Sequence, residues 1–238
     1  DNGYVVFGSA YVGQYSLATI LKTDAEGNVQ FNKVINDNAR AYEEIITGGQ
    51  QTADGGYVLA GYSGNGSSHG YMALLIKLDG NGALSWSKTF QYLPDNHGAE
   101  AYAVTQTADG GYVLGGQLVN DIEKAIIYGF WMTKVDANGD QVWAHAYGDN
   151  DYLAYSNAIV ETPQGDLVAV GRNHVGKMTL AKFSGTGVFQ WNYFVDSLPY
   201  ATGNDVVLMA DGSAVAVGSG GDGSIVMKVN NVFTVDEE

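Results

Sequence analysis

Residues 54–63 read DGGYVLAGYS and residues 109–118 read DGGYVLGGQL, and these two segments decide the fold. Each segment is followed by an apolar run that ends in a lysine, then by a turn rich in Asp and Gly, and then by a tryptophan. Weaker copies begin at Asp1, Gln164 and Asp211, so the pattern recurs about every 50 residues. A period of this length, with several short apolar runs per unit, indicates a radial or stacked array of β-repeats.

Each complete repeat contains four predicted strands. The first precedes the Asp-Gly-Gly turn, the second follows it, the third ends at the lysine and the fourth carries the aromatic residue. In the second repeat the four predicted strands are 44–52, 57–60, 72–78 and 84–90. In the last repeat they are 204–209, 214–217, 224–229 and 232–235. The turn glycines permit positive φ, which tight antiparallel hairpins require.

Four short antiparallel strands per unit predict an all-β fold, a β-propeller of five four-stranded repeats. Segments such as Ala-Leu-Leu-Ile at 73–76 are apolar on both faces, as expected when each sheet is covered by two neighbouring sheets. We predict a single propeller domain over residues 1–238. Its repeats are predicted at about 1–36, 37–92, 93–148, 149–196 and 197–238.

The first repeat is predicted to lack its innermost strand, because no segment precedes Asp1 to form it. Two explanations stay open at this point. The chain is part of a longer protein, or another chain donates the missing strand and the molecules assemble by β-augmentation. The second explanation predicts self-assembly.

The order of an apolar strand, DGGYVLAG, a Lys-x-Asp segment, a turn and a tryptophan resembles kelch-like and PQQ-like propeller repeats. It is most similar to the DGGYV-type tandem repeats of secreted or surface-attached bacterial and archaeal proteins. The resemblance covers nearly the whole chain. It implies that the strand before the glycine pair is innermost and that the protein is extracellular or on the cell surface. The fourth and fifth repeats depart from the pattern, with Gln-Gly-Asp from Gln164 and Asp-Gly-Ser from Asp211.

The charge balance argues against two classes of partner. Eleven basic and 26 acidic residues give a formal net charge of -15. Nucleic acids and anionic membranes both require clustered Lys and Arg, so neither is expected as a partner. The chain has no cysteine, which excludes disulfides and Cys-based zinc sites.

One lysine recurs at the end of the third strand of every repeat. These five are Lys22, Lys77, Lys134, Lys182 and Lys228. We expect a structural contact in each repeat, with the aliphatic stem packed between sheets and the ammonium near a turn carboxylate or carbonyl. A ring of ligand-binding lysines is the functional alternative.

The loops that join strand two to three and strand four to the next strand one are long and dissimilar. Variable loops on a regular scaffold usually carry binding sites. The residues predicted to bind a ligand there are Tyr42, Glu44, His97, Glu100, Tyr102, Asp151, Tyr155, Asn157, Asn204 and Asp205. The same loops also hold Glu43, Asp149, Tyr152 and Tyr200. Aromatic rings beside carboxylates suit a glycan, and they equally suit a protein partner.

No catalytic signature accompanies the repeat. The chain has no GxSxG, P-loop or GxGxxG motif in the strand-to-helix context that such motifs require, and its four histidines lack metal-ligand spacing. We therefore predict that it is not an enzyme and has no catalytic residues, and that it is an extracellular structural, assembly or binding module. The alternative is a carbohydrate-binding protein, or a glycoside hydrolase or lyase that uses carboxylates of the long loops.

A calcium loop is the remaining cofactor hypothesis. Asp136, Asn138 and Asp140 resemble the start of an EF-hand loop, but Tyr147 stands where that loop requires a glutamate. We interpret the segment as a hairpin turn and expect no cofactor, with calcium at other loop carboxylates as the alternative.

Overall fold

The computed structural model describes residues 2–35, 43–64, 71–91, 98–119, 129–147, 153–198, 200–221 and 223–233. In these ranges all regular secondary structure is β-strand, in 18 segments. No helix within them is long and apolar enough to cross a membrane.

The strands follow the repeat in chain order. The first repeat holds β1 Val5–Val12, β2 Tyr15–Thr23 and β3 Val29–Val34. The second holds β4 Glu43–Gln51, β5 Tyr57–Gly64, β6 Met72–Leu78 and β7 Leu84–Phe90. The third holds β8 Gly98–Gln106, β9 Tyr112–Val119, β10 Gly129–Val135 and β11 Gln141–Tyr147. The fourth holds β12 Tyr155–Glu161, β13 Leu167–Arg172, β14 Met178–Phe183 and β15 Phe189–Phe194. The fifth holds β16 Thr202–Leu208, β17 Ala214–Gly220 and β18 Gly223–Val229.

Every repeat forms an antiparallel sheet in which sequence neighbours pair. The strand orders are β8 to β11, β12 to β15 and β16 to β18, each in sequence. The first two repeats are joined in one seven-stranded sheet by a single parallel pair, Ser16 with Glu43. Consecutive four-stranded antiparallel sheets of this kind are the blades of a β-propeller, as predicted. In the described part of the first repeat, β1 is the first strand in the chain and pairs with β2.

The predicted fourth strand of the last repeat is wrong at its first two residues. Val232 and Phe233 form a turn, and the Val232 amide donates to the Gly212 carbonyl at 2.9 Å. Val232 is fully buried against the core of the last two repeats, which draws the chain inward instead of along β18. The rest of the predicted strand lies outside the described residues.

The chain divides into two compact units, residues 1–104 with 119–126, and residues 105–118 with 127–238. In the first unit, the first and second repeats bury a common core that includes Ile20, Leu59 and Leu74. Phe7 and Phe31 of the first repeat meet the Tyr57 ring of the second edge-on, at centroid distances of 6.2 and 6.3 Å. Sheets packed face to face in this way explain why their strands are apolar on both sides.

The second unit is built on the same plan. A core shared by the fourth and fifth repeats includes Val170, Leu180 and Ala216. Phe130 of the third repeat lies 5.4 Å from Phe183 of the fourth, between ring centroids. The same residue positions of successive repeats therefore supply the core in both units.

The two glycines of the Asp-Gly-Gly turn serve different purposes. The first has positive φ, and so has the equivalent residue in every repeat: Asn2, Gly55, Gly110, Gly165 and Gly212, with φ between 55° and 85°. Asn tolerates this conformation better than other side chains. The second glycine, Gly56, is required for close approach, because a Cβ there would lie 2.3 Å from the Leu78 carbonyl oxygen.

Candidate functional site

The repeated lysines lie at the short-turn end of the sheets, each beside the turn that precedes strand two. Lys77 Nζ lies 2.8 Å from Asp54 Oδ2 and 3.0 Å from the Leu78 carbonyl oxygen. Lys134 and Lys228 pair with the first Asp of their own turns, and in the first repeat Lys22 donates to the Thr23 carbonyl at 2.6 Å.

The turn carboxylates at this end are strongly acidic. Lys134 and then Thr107 hydrogen-bond Asp109 and lower its pKa to about 2. The pKa of Asp54 is also well below its usual range, chiefly through Lys77 and Thr52. A charge held by a cation and by turn donors is consistent with a structural role in each repeat.

The fourth repeat keeps the contact with a different residue. Gln164 replaces the first turn aspartate, and Asp166, two residues later, supplies the carboxylate. Lys182 Nζ lies 2.9 Å from Asp166 Oδ2 and is completely buried. The Nζ atom has no aligned hydrogen bond among the described residues, so the contact is an ion pair by distance and not a directed hydrogen bond.

A different cluster lies at the other end of the second and third repeats, where the long loops attach. Glu43 begins β4, Tyr62 lies near the end of β5, and Tyr71 directly precedes β6. Glu100 and Tyr102 lie near the start of β8. We call these five residues the Glu–Tyr cluster; all belong to the first compact unit.

Tyrosine hydroxyls bind both carboxylates of the cluster. Tyr71 donates to Glu43 Oε2 at 3.3 Å, and Tyr102 donates to Glu100 Oε2. The rings of Tyr62 and Tyr71 meet edge-on with centroids 4.9 Å apart. The Glu100 residue is only 8% exposed. The cluster therefore combines two packed aromatic rings with two carboxylates that accept hydrogen bonds from tyrosine hydroxyls.

The charges of both carboxylates raise the pKa values of the same two tyrosines. Burial raises the pKa of Tyr62 above 10.0, and the charges of Glu100 and Glu43 raise it further. The pKa of Tyr71 is raised first by burial and then by Glu43. The shared influence of Glu43 and Glu100 on Tyr62 is consistent with both carboxylates lying near its hydroxyl.

Glu44, a predicted binding residue, lies on the opposite face of β4 from Glu43. Its Oε2 accepts the Ala18 amide at 3.2 Å, and its carbonyl accepts the Ser16 hydroxyl at 3.1 Å. The residue is 2% exposed, so it connects the first two repeats inside the core. Successive strand residues point to opposite faces, and that alternation is the signal that separates Glu43 from Glu44.

Tyr62 and Tyr71 were missing from the predicted set, while Glu100 and Tyr102 were included. Tyr62 lies within β5 near its end, and Tyr71 directly precedes β6. A search for aromatic residues bordering long loops would have found them. The predicted residues Tyr42, His97 and Asp151 lie outside the described residues.

The other predicted residues belong to the second unit and make local contacts there. The Arg172 guanidinium lies over the Tyr155 ring at 5.3 Å, and Asn157 donates to the Gly203 carbonyl at 2.8 Å. Asp205 accepts the Val206 amide at 2.8 Å, and Asn204 is exposed. Asn157 thus connects the fourth repeat to the fifth.

The segment that resembles a calcium loop is a turn. Asp136 Oδ1 accepts the amides of Asn138 at 2.8 Å and Asp140 at 2.9 Å. Asp79 and Asp24 cap their own turns in the same way. In the part of the chain that the structure describes, no group of three or more His, Cys, Asp or Glu residues could hold a metal ion.

Comparison with known proteins gives similarity of structure alone. No protein-family model and no curated protein matches the sequence. A protein of unknown function from Dyadobacter fermentans is 13% identical, with a TM-score of 0.63 over 94% of this chain and 70% of that chain. An endo-arabinase from Bacteroides thetaiotaomicron is 9% identical, with a TM-score of 0.53 over 96% and 93%. A β-1,2-mannobiose phosphorylase from Listeria innocua is 9% identical, with a TM-score of 0.51 over 94% and 69%.

These similarities confirm the β-propeller fold, and at such identities they show the fold alone. The narrower assignment to the DGGYV-type repeats stays a prediction. The prediction that the chain is not an enzyme is contradicted, because two of these structural neighbours are enzymes. That prediction depended on missing sequence motifs, and this fold can carry enzyme chemistry on scattered loop and strand-end residues that form no motif.

Proposed function

We propose that the chain is a carbohydrate-binding propeller that cleaves a glycosidic bond at the Glu–Tyr cluster. One observation carries the proposal: Glu43 and Glu100 share a cluster with three tyrosines at the end where the long loops attach. An arabinase and a mannobiose phosphorylase of the same fold support the substrate class.

The cluster has the chemistry that sugars require. Tyrosine presents an apolar ring face with a polar tip, so it can pack on the C–H face of a sugar and still hydrogen-bond. Ionised carboxylates only accept hydrogen bonds and therefore suit sugar hydroxyls. Tyrosine phenols are protonated at neutral pH, so Tyr62 and Tyr71 can donate hydrogen bonds to a sugar.

The two carboxylates supply the acid and base that glycoside hydrolysis needs. One, as the carboxylic acid, gives its proton to the leaving oxygen, and the other, as the carboxylate, takes a proton from the attacking water or attacks the sugar carbon itself. Because Tyr71 binds Glu43 and Tyr102 binds Glu100, each carboxyl is oriented by its own phenol. As part of the proposal the protein acts outside the cell, where polymeric glycans are found, and a glycan is its partner.

A panel of arabino- and manno-oligosaccharides tests the proposal. We expect binding by saturation-transfer NMR and release of reducing ends. Glu43→Gln and Glu100→Gln should each weaken binding by about tenfold, as expected when a hydrogen bond to a charged group is lost. Both should abolish bond cleavage. Glu26→Gln, in an exposed turn of the first repeat, is the matched control and should change neither.

The outcomes separate the parts of the proposal. If the parent protein binds the sugars but does not cleave them, and both glutamine variants lose the binding, the protein is a carbohydrate-binding protein and the hydrolase proposal is rejected. Binding that neither variant alters would reject the Glu–Tyr cluster as the site.

A further inference from the structure

Three tyrosines share the Glu–Tyr cluster, and the hydroxyls of two of them are already bound to carboxylates. Tyr71 donates to Glu43 Oε2 at 3.3 Å, and Tyr102 donates to Glu100 Oε2. Within the described ranges the hydroxyl of Tyr62 makes no hydrogen bond, and its oxygen is not among the buried side-chain atoms that lack a partner. Tyr62 therefore brings an unused hydrogen-bond donor that a ligand can reach.

Tyr62 lies on the same face of the second repeat as Glu43. In the antiparallel pairing of β4 with β5, Glu43 lies directly across from Gly64. Tyr62 precedes Gly64 by two residues, and residues two apart on a strand point to the same face. Tyr62 is therefore the diagonal neighbour of Glu43 on the adjacent strand, a separation that aromatic side chains can span.

Gly64 provides the space in which the rings of Tyr62 and Tyr71 meet. A Cβ at Gly64 would lie 2.9 Å from Tyr71 Cε1 and 3.9 Å from Glu43 Oε2. The Tyr71 ring therefore lies against the glycine and meets the Tyr62 ring edge-on, at an interplanar angle of 64°. This aromatic contact fixes the direction of the Tyr62 ring before a ligand binds.

The strand that carries Glu100 is held beside the second repeat by hydrogen bonds on both sides of that residue. The Ala99 amide donates to the Tyr71 carbonyl at 3.0 Å. The Ala101 carbonyl accepts the Thr47 hydroxyl at 2.7 Å. Backbone contacts therefore fix the position of the Glu100 strand relative to the rest of the cluster.

A sugar hydroxyl matches the chemistry of this position. Burial and then the charge of Glu100 raise the pKa of Tyr62, and Glu43 raises it further, so both carboxylates act on this phenol. Carboxylates only accept hydrogen bonds, whereas a sugar hydroxyl both donates and accepts them. Such a hydroxyl can therefore donate to a carboxylate and accept from Tyr62 at the same time, and the two hydrogen bonds strengthen each other.

We propose that Tyr62 is the tyrosine that binds the sugar directly, by donating to a sugar hydroxyl that itself donates to Glu43 or Glu100. Tyr71 and Tyr102 are positioning residues, since their hydroxyls hold the two carboxylates. This role of Tyr62 rests on the proposed function, because it assigns a donor within the same site. It makes Tyr62 a specificity residue that requires one particular hydroxyl of the sugar ring.

Tyrosine-to-phenylalanine variants test these roles without a ligand, because each removes one hydroxyl and keeps the ring. Tyr71→Phe and Tyr102→Phe should lower the urea midpoint of unfolding, since each takes a donor from a carboxylate. Tyr62→Phe should leave the midpoint unchanged or raise it, because within the described ranges its hydroxyl has no partner to lose. A midpoint that Tyr62→Phe lowers as much as Tyr71→Phe would give the Tyr62 hydroxyl a structural role and overturn the proposal.

Binding of arabinotriose and β-1,2-mannobiose, with their monodeoxy analogues, tests the contact itself. In the parent protein, removal of one particular sugar hydroxyl should weaken binding about tenfold. Tyr62→Phe should bind the intact sugar about tenfold more weakly, and the same deoxy analogue should then lose no more than about threefold further, since both changes remove one hydrogen bond. Tyr71→Phe should keep the full deoxy penalty. Tyr193→Phe, at an exposed tyrosine of the fourth repeat, is the control and should match the parent protein.

The outcomes separate the role of Tyr62 from the proposed function. If the parent protein binds neither sugar, the proposed function fails and the role of Tyr62 fails with it. If Glu43→Gln and Glu100→Gln weaken binding while Tyr62→Phe keeps the parent affinity and the parent deoxy penalty, the site stands and the role of Tyr62 is overturned.

Discussion

The two ends of the second repeat provide their carboxylates with different partners, a lysine at one end and a tyrosine at the other. At the short-turn end, Asp54 pairs with Lys77 at 2.8 Å, and equivalent pairs recur in the third, fourth and fifth repeats. At the long-loop end, Glu43 is bound by a tyrosine hydroxyl in an arrangement that no repeat position dictates. Features that recur in every repeat stabilise the fold, whereas the feature that interrupts the repeat is the candidate for function.

The electrostatics of the two ends differ in the same sense. Ammonium and turn donors lower the pKa of the aspartates at the short-turn end. Burial and nearby carboxylates raise the pKa of Tyr62 and Tyr71 at the long-loop end. One end stabilises charge already present, and the other holds neutral phenols beside carboxylates.

The largest expected effect is at the short-turn end. Lys182→Met should lower the free energy of unfolding by about 3 kcal/mol, because it leaves a largely buried Asp166 without its cation. Lys77→Met should cost about 1 kcal/mol, since Asp54 is 63% exposed and keeps its turn donors. Lys228→Met should cost less than about 0.5 kcal/mol, because both partners are at least half exposed. Urea unfolding measures all three.

The control for that series is the double variant Asp166→Asn with Lys182→Met, which should recover part of the loss. If the three lysine variants instead keep full stability and lose ligand binding, the lysines form a binding ring and the comparison between the two ends fails.

The second effect is a pH dependence at the short-turn end. The pKa of Asp109 is about 2 in the folded protein, against about 3.9 in an unfolded chain. As the pH falls below about 4, the unfolded chain therefore takes up the proton first, and the stability from this group is lost progressively towards pH 2. It is fully present above that window. Asp109→Asn should flatten the stability profile between about pH 4 and 2, by less than about 1 kcal/mol for so exposed a pair.

Chemical unfolding at a series of pH values checks this prediction. The slope between pH 6 and 8 should not change in Asp109→Asn. A parent profile that is flat below pH 4 would show that the repeated ion pairs contribute nothing to folding.

The smallest expected effect is at the long-loop end. Glu100→Gln should lower the pKa of Tyr62, because it removes one of the charges that raise it. The value should stay above the ordinary one, since burial is the larger cause. The Cζ resonance of labelled tyrosine, followed by NMR through the alkaline range, measures the shift. Glu26→Gln should leave the pKa of Tyr62 unchanged. If Glu100→Gln also leaves it unchanged, the charge of Glu100 does not act on Tyr62 and the two residues do not share a site.

Sequence reasoning was most successful where the repeat is strict. The predicted second-repeat strands 72–78 and 84–90 coincide with β6 and β7, because turn residues and the repeated lysine mark their ends. It failed at Val232, where burial in the core prevails over the repeat pattern. Of the Glu–Tyr cluster, the predicted binding residues included Glu100 and Tyr102, and their binding role stays a prediction. They also included Glu44, which is buried, whereas its neighbour Glu43 lies on the opposite face of the strand and belongs to the cluster.

The sequence by itself determined the all-β repeat, the strand order and the turns, since these depend on local backbone preference and a regular apolar period. Only the tertiary structure decided which carboxylates meet which tyrosines, because residues far apart in the chain come together only when the sheets pack. It also decided that Asp166 replaces the missing turn aspartate in the fourth repeat. These outcomes depend on what each face lies against, and a linear pattern does not contain that information.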